Sequence, residues 1–453
     1  MRKSLTLQLV TAAAACFLAL GAQGCKKDAA PAAEAKAAAS AEQPNDNKGA
    51  VAAAAAASPT VAAVVDDDPG PASTVTVWHA YRDAERAALD KLIEHWNGTH
   101  KNTQIQALSV PPDAIIDKFQ VAVPNGNGPD LMIFAHDKIG VWARDGLIQP
   151  LGEFATPERL KRFMPQTVKP LVFEKNLYGL PLAYKTLVLF YNKKMVPTPP
   201  KTLAQLVEVA KGFTKADPNA DNASFGLAYE AANLYFHGPF LLGAGGAVFD
   251  EAGALKIDSP EAKKAIETVR GLYRDAKILP QGTVSGFVIT SMFNDGKVPF
   301  VLQGPWFMGE IEKSVDWAVA TLPELEPGKP MRPFLGSEAA LLSAKTTNKA
   351  AALRVIDYLT SDEAALTRID QGKQMVANIK TYEMPKWGDD AVVKVFRAQA
   401  ETAVPMPSSA EMSAVWTPYN AALQKAIYGD TKAEEALAEA QKRAIDDIAK
   451  MKK

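Results

Sequence analysis

From residue 74 onward, apolar positions alternate between two periodicities. Thr74-Val75-Thr76-Val77-Trp78 has the apolar density of a buried strand, and Leu89, Leu92, Ile93 and Trp96 recur behind it at helical spacing. Ile105 to Val110 predicts a second strand, and Ile115, Ile116 and Phe119 mark a second amphipathic helix. Asn125-Gly126-Asn127-Gly128-Pro129 is a turn, followed by a third strand over Leu131 to Phe134. A helix then begins near Ala135–Asp137, buries Ile139 and Trp142, and stops at Gly146. After residue 180 the pattern restarts, with strands predicted at Leu187–Tyr191 and Val298–Leu302. Helices are predicted at Leu203–Phe213, Ala262–Tyr273 and, as the terminal element, Glu434–Met451. Such alternation predicts an α/β fold whose parallel-type sheet is covered on both faces. A body of about 380 residues is large for one core, which predicts two lobes with a ligand cleft between them.

The first residues follow different rules. Arg2 and Lys3 precede an apolar run from Leu5 to Leu20, the grammar of an export signal. Leu20-Gly21-Ala22-Gln23-Gly24-Cys25 resembles the bacterial lipobox, which implies a signal peptide over 1–24 and lipidation of Cys25. Residues 25–72 read as a disordered tether. Of the 47 residues after Cys25, 19 are Ala, and no aromatic, Leu or Ile offsets the entropy of ordering them. The expected location is periplasmic or cell-surface, with a lipid anchor to a membrane.

Composition removes several classes of function. With 50 basic and 51 acidic side chains in 453 residues, the chain lacks the basic surplus of a nucleic-acid binder. The two cysteines are Cys16 and Cys25, so the body offers no disulfide, thiolate metal site or catalytic thiol. The five histidines (His79, His95, His100, His136 and His237) have no metal-ligand spacing and read as surface or capping residues. There is no Gly-x-Ser-x-Gly elbow, phosphate-binding loop or His-Glu-x-x-His motif. No catalytic residue, metal or cofactor is nominated. A surface glycoside hydrolase stays open as an alternative, because carboxylates are plentiful.

Aromatic residues at strand-to-helix transitions stand out. Gly304-Pro305-Trp306 follows a predicted strand, Tyr235-Phe236 precedes Pro239, and Trp416 closes Glu411-Met412-Ser413-Ala414-Val415-Trp416. On pattern alone these rings fit a core as well as a sugar-binding platform.

Several ordered segments together resemble the extracellular solute-binding proteins of bacterial ABC sugar importers, in particular their maltose/maltodextrin-binding branch. They include Gly128-Pro129-Asp130-Leu131-Met132-Ile133-Phe134-Ala135-His136-Asp137-Lys138, Leu180-Pro181-Leu182-Ala183 and Leu189-Phe190-Tyr191-Asn192-Lys193-Lys194. Further on come Pro199-Pro200-Lys201-Thr202, Phe293-Asn294-Asp295-Gly296, Gly304-Pro305-Trp306, Thr360-Ser361-Asp362-Glu363 and Met412-Ser413-Ala414-Val415-Trp416. The resemblance implies two discontinuous lobes, 73–183 plus 340–366 and 187–333 plus 373–453. Hinge crossings are expected near 184–187, 334–339 and 367–372.

Matched to that pattern, Asp137 stands where an acid bonds sugar hydroxyls, with Ala135 as its small neighbour. Tyr235, Phe236, Trp306 and Trp416 match the aromatic platforms, Met406 falls in the loop before the last of them, and Arg82-Asp83 loosely matches a charged pair. Four positions depart from it. Phe134 replaces Trp, Lys138 replaces Arg, Lys185 replaces an acidic sugar ligand, and Asn420 replaces Arg. An ammonium only donates where a carboxylate accepts, so Lys185 implies one contact of reversed polarity. The implied function is capture of a maltodextrin-type oligosaccharide by a monomeric, lipid-anchored protein. It would deliver that sugar to the transmembrane subunits of an ABC permease. An acidic oligosaccharide paired with Lys185 is the alternative within the same fold.

Overall fold

The computed structural model describes residues 70–215 and 222–451. The export signal, Cys25 and nearly all of the tether lie outside the described residues. Two sheets organise the body. Along the chain the strands are β1 (Ser73–His79), β2 (Thr103–Ser109), β3 (Leu131–Ala135), β4 (Gly179–Lys185), β5 (Val188–Asn192) and β6 (Leu227–Ala228). They continue as β7 (Phe300–Gln303), β8 (Trp317–Ala320), β9 (Phe334–Leu342), β10 (Met375–Val376) and β11 (Val404–Pro405). The first sheet has the order β10-β4-β9-β3-β1-β2, with β11 also paired to β9; the second runs β8-β5-β7-β6.

Both sheets are mixed, which corrects the expectation of a parallel sheet. β1 runs parallel to β2 and β3, but β9 inserts antiparallel between β3 and β4. In the second sheet β5 is antiparallel to β7 and β8, and β6 is parallel to β7. Helical crossovers explain the parallel pairs. In the first sheet β9 is antiparallel to β4 because the chain leaves at Lys185 and returns at the same end, Gly336 lying opposite Lys185.

Pleating explains why the strands read as unbroken apolar runs. Val75 and Val77 of β1 and Ala340 and Leu342 of β9 face one core, while Trp78, Ala339 and Leu341 face another with Phe119 and Trp142. The second sheet does the same. Leu189 and Tyr191 join the core built on the helices Leu203–Phe213, Pro260–Arg274 and Ala433–Met451, whereas Val188 and Phe190 pack with Val301, Leu335 and Phe396. That last cluster contains Tyr184 of β4 as well, so apolar packing is continuous where the chain passes between sheets.

Helix starts follow local chemistry. Thr202 accepts a hydrogen bond from the Gln205 N–H, and Ser259 accepts one from Ala262 ahead of Pro260. The predicted strand at Val298 begins two residues later, at Phe300, because Pro299 lacks the N–H a ladder needs.

Candidate functional site

The ends of β3, β4 and β7, the middle of β9, and the starts of the helices Leu234–Gly243 and Trp416–Leu423 converge on one cavity of about 250 Å³. Its lining is Ala135, Asp137, Lys185, Tyr235, Trp306, Gly336, Ser337, Glu338, Met406 and Trp416. Seven of the residues singled out from the sequence therefore meet there: Ala135, Asp137, Lys185, Tyr235, Trp306, Met406 and Trp416.

On the wall built from the first sheet, Asp137 is 6% exposed and lies 3.1 Å from Lys138 Nζ. Asp137 sits inside the short 3-10 turn His136–Lys138, whose N-cap position is taken by Ala135. Lys138 holds the Asp137 carboxylate from behind and reaches across to the Trp416 ring, 6.0 Å from the centroid.

Lys185 lies between two carboxylates. Its Nζ is 3.0 Å from Glu338 Oε1 and 3.2 Å from Glu85 Oε1, and the Tyr81 hydroxyl donates to Glu338 Oε2 at 2.6 Å. Burial alone would lower the lysine pKa, but the two carboxylates outweigh it and raise it above the ordinary value. Burial pushes the Glu85 carboxyl up against the opposing pull of Lys185. The cation is thus already neutralised, which removes the basis for pairing Lys185 with an acidic sugar.

The aromatic wall is held by backbone chemistry. Asn233 Oδ1 accepts from the Tyr235 N–H at 3.0 Å, and Asn420 Oδ1 from the Leu234 N–H at 2.7 Å. Asn420 is thereby committed to the start of the Leu234–Gly243 helix. A Cβ on Gly304 would fall inside the Trp306 indole, so only glycine lets that ring fold back over the chain. The Trp306 indole N–H donates to Gln303 Oε1 at 3.0 Å. The Tyr235 hydroxyl and Trp416 Nε1 are buried without a hydrogen-bond partner among the described residues.

Met406 is fixed on both sides. Its N–H donates to the Leu335 carbonyl at 3.1 Å, and its own carbonyl lies 2.7 Å from His136 Nε2. The other nitrogen, His136 Nδ1, accepts from the Ser337 N–H at 2.9 Å. His136, His79 and His237 are buried, so the surface reading fails for these three; His95 is exposed, and His100 is half-buried at the C-cap of the Asp83–Thr99 helix, stacked on Trp96. Burial lowers the pKa of all three, His79 to about 4 and His237 to about 3.

The remaining predicted residues lie outside the cavity. Phe134 points to the opposite face of β3 from Ala135 and packs 5.3 Å from Trp142, as alternation along a strand requires. Phe236 is buried behind the platforms, edge-on to Tyr235 at 5.6 Å and to Trp306 at 6.5 Å. Arg82 and Asp83 line an adjoining recess with Glu85 and Glu310, on the other side of Trp306. Gly336, Ser337 and Glu338 were not foreseen. The available signal was a polar pair, Ser337-Glu338, inside the otherwise apolar run Phe334–Leu342.

Residues 80–366 match the family model described as bacterial extracellular solute-binding protein. The maltotriose-binding protein of Pyrococcus abyssi is 32% identical over 76% of this chain and 75% of its own length. The maltooligosaccharide ABC transporter solute-binding lipoprotein of Streptococcus pneumoniae is 27% identical over 71% of this chain and 77% of its own. Among solved structures, the maltose/maltodextrin-binding domain MalE from Bdellovibrio bacteriovorus bound to maltotriose superposes with a TM-score of 0.77 at 25% identity. It covers 83% of this chain and all of that one. A two-lobed α/β body with an aromatic-walled cavity, matched in sequence through both sheets, places this chain in the bacterial extracellular solute-binding protein family.

Proposed function

We propose that the protein is the substrate-binding component of an ABC importer and captures maltodextrin-type oligosaccharides in this cavity. The observation that carries the reading is the meeting of Tyr235, Trp306 and Trp416 with the carboxylates of Asp137 and Glu338 in one cavity. Flat rings cover the apolar C–H faces of a pyranose, and carboxylates accept from its hydroxyls. The names of the Pyrococcus and pneumococcal relatives and the maltotriose held by the Bdellovibrio domain support the same ligand class. Residues 73–183 with 340–366 form one lobe in this reading, and 187–333 with 373–453 the other. Sugar touching both lobes selects the closed arrangement, which the permease subunits then recognise. Cys25 supplies the membrane anchor, a role in keeping with the pneumococcal relative's description as a lipoprotein.

Calorimetric titration with maltose, maltotriose and unrelated sugars tests this. Saturation by maltotriose is expected, with the sugar recovered uncleaved after prolonged incubation. A response confined to another sugar class would reject the maltodextrin assignment. Release of glucose or maltose would favour the glycoside hydrolase alternative.

A further inference from the structure

All nine positions of β9 are buried, and Glu338 is the carboxylate among them. A charged group there must be held by partners or it would destabilise the strand. Glu338 lies opposite Ala183 of β4 and shares the β9 face of Ala340 and Leu342, the face on which Tyr81 packs. Gly336, Ser337 and Glu338 line the cavity where β9 passes the end of β4 at Lys185. Tyr81 and Lys185 fix one oxygen each of the Glu338 carboxylate. A carboxylate has about four acceptor positions, so the fixed group keeps capacity for a ligand donor.

Among the described residues, each cation at the cavity is held by a carboxylate: Lys138 by Asp137, and Lys185 by Glu85 and Glu338. Arg368 donates to the Leu359 carbonyl in the recess behind Glu85, away from the cavity. We propose that Glu338 sets the charge class of the ligand. Its fixed carboxylate accepts a hydrogen bond from a sugar hydroxyl or amine and excludes oligosaccharides carrying carboxylate or phosphate. This rests on the oligosaccharide-binding reading and narrows it to neutral and amino sugars.

The test titrates the full chain with maltotriose and with maltotriose whose C6 hydroxyls are oxidised to carboxylates. Wild type, Glu338→Gln and Glu85→Gln are compared, with unfolding midpoints measured alongside. Wild type should prefer the neutral sugar by on the order of a hundredfold, since like charges brought together carry a large penalty. Glu338→Gln should weaken maltotriose binding about tenfold, the size of one charge-assisted hydrogen bond, and narrow the gap between the two sugars. Glu85→Gln removes the other carboxylate on Lys185 without touching the cavity, and should leave maltotriose affinity and the preference intact. Equal binding of both sugars by wild type would overturn the inference while leaving oligosaccharide binding in place. Equal losses in the two variants would also overturn it, because they would trace to the ion cluster. Binding of neither sugar would remove both the inference and the function it rests on.

Discussion

Arg82 Nη2 lies 3.5 Å from Glu310 Oε1, joining the loop after β1 in one sheet to the turn after β7 in the other. Glu310 is itself anchored by the Thr290 hydroxyl at 2.6 Å, whereas the Arg82 side chain is 62% exposed. An exposed pair of this kind contributes up to about 1 kcal/mol, and salt screens it.

If sugar binding selects an arrangement containing this contact, Arg82→Ala should weaken maltotriose binding by no more than about fivefold. It should also flatten the dependence of affinity on ionic strength. Titrations at low and high salt read both effects. A loss well beyond tenfold would instead assign Arg82 a direct bond to the sugar.

The buried histidines predict a pH effect of definite sign. Burial depresses His79 to about 4 and His237 to about 3 from an ordinary 6.5, and lowers His136 as well. Each is neutral when folded near pH 7. Below about 6.5 the unfolded chain takes up protons that the folded chain refuses, so stability falls as pH drops toward the folded values. Denaturant midpoints should decline between pH 6.5 and 4. His237→Phe should reduce the slope by about 1.4 kcal/mol per pH unit in that window, since neither ring nitrogen of His237 has a partner to lose. An unchanged slope would show that His237 titrates normally in the folded protein.

What the sequence reveals depends on whether information is local. β3 and β5 were legible because a short apolar run between turns has few alternatives, and the Leu203–Phe213 helix because one face alone is apolar. The Leu234–Gly243 helix was not, since it buries eight of its ten residues and so lacks amphipathic period. Insertion of β9 between β3 and β4 depends on pairings more than 150 residues apart, and no local pattern encodes their direction. The site divides the same way. Asp137 and Trp306 sit in recognisable turns, whereas Glu338 reaches the cavity only through the long-range pairing of β9 with β4. Phe134 and Phe236 matched by position, but strand pleat and helix packing turn them elsewhere.

The lipidation assignment concerns Cys25, outside the described residues, and is tested without structure. Several acyl chains on one cysteine would anchor the protein firmly, since each buried methylene contributes about 0.8 kcal/mol. Cys25→Ser should move the protein from the membrane to the soluble fraction of a bacterial expression host. Undiminished membrane association of that variant would reject Cys25 as the anchor.

Trp306 allows the sharpest separation of packing from binding. Its ring is half-buried, packs beside both Tyr235 and Phe236, and lines the cavity, while Gln303 and Gly304 fix its orientation. A ring that stacks on sugar should lose about 2 kcal/mol of binding on truncation to Ala, or about 30-fold in Kd. A ring serving only as core should instead lose about 3–5 kcal/mol of folding stability. Partial exposure argues for a smaller folding cost than that. The expected result for Trp306→Ala is therefore a modest fall in the unliganded urea midpoint together with a large loss of maltotriose affinity. Gly304→Ala should reproduce the affinity loss with the indole still present, because the added methyl group forces the ring off its resting place. Strong destabilisation of both variants, with normal affinity in whatever remains folded, would make Trp306 a core residue and return the sugar platform to Tyr235 and Trp416.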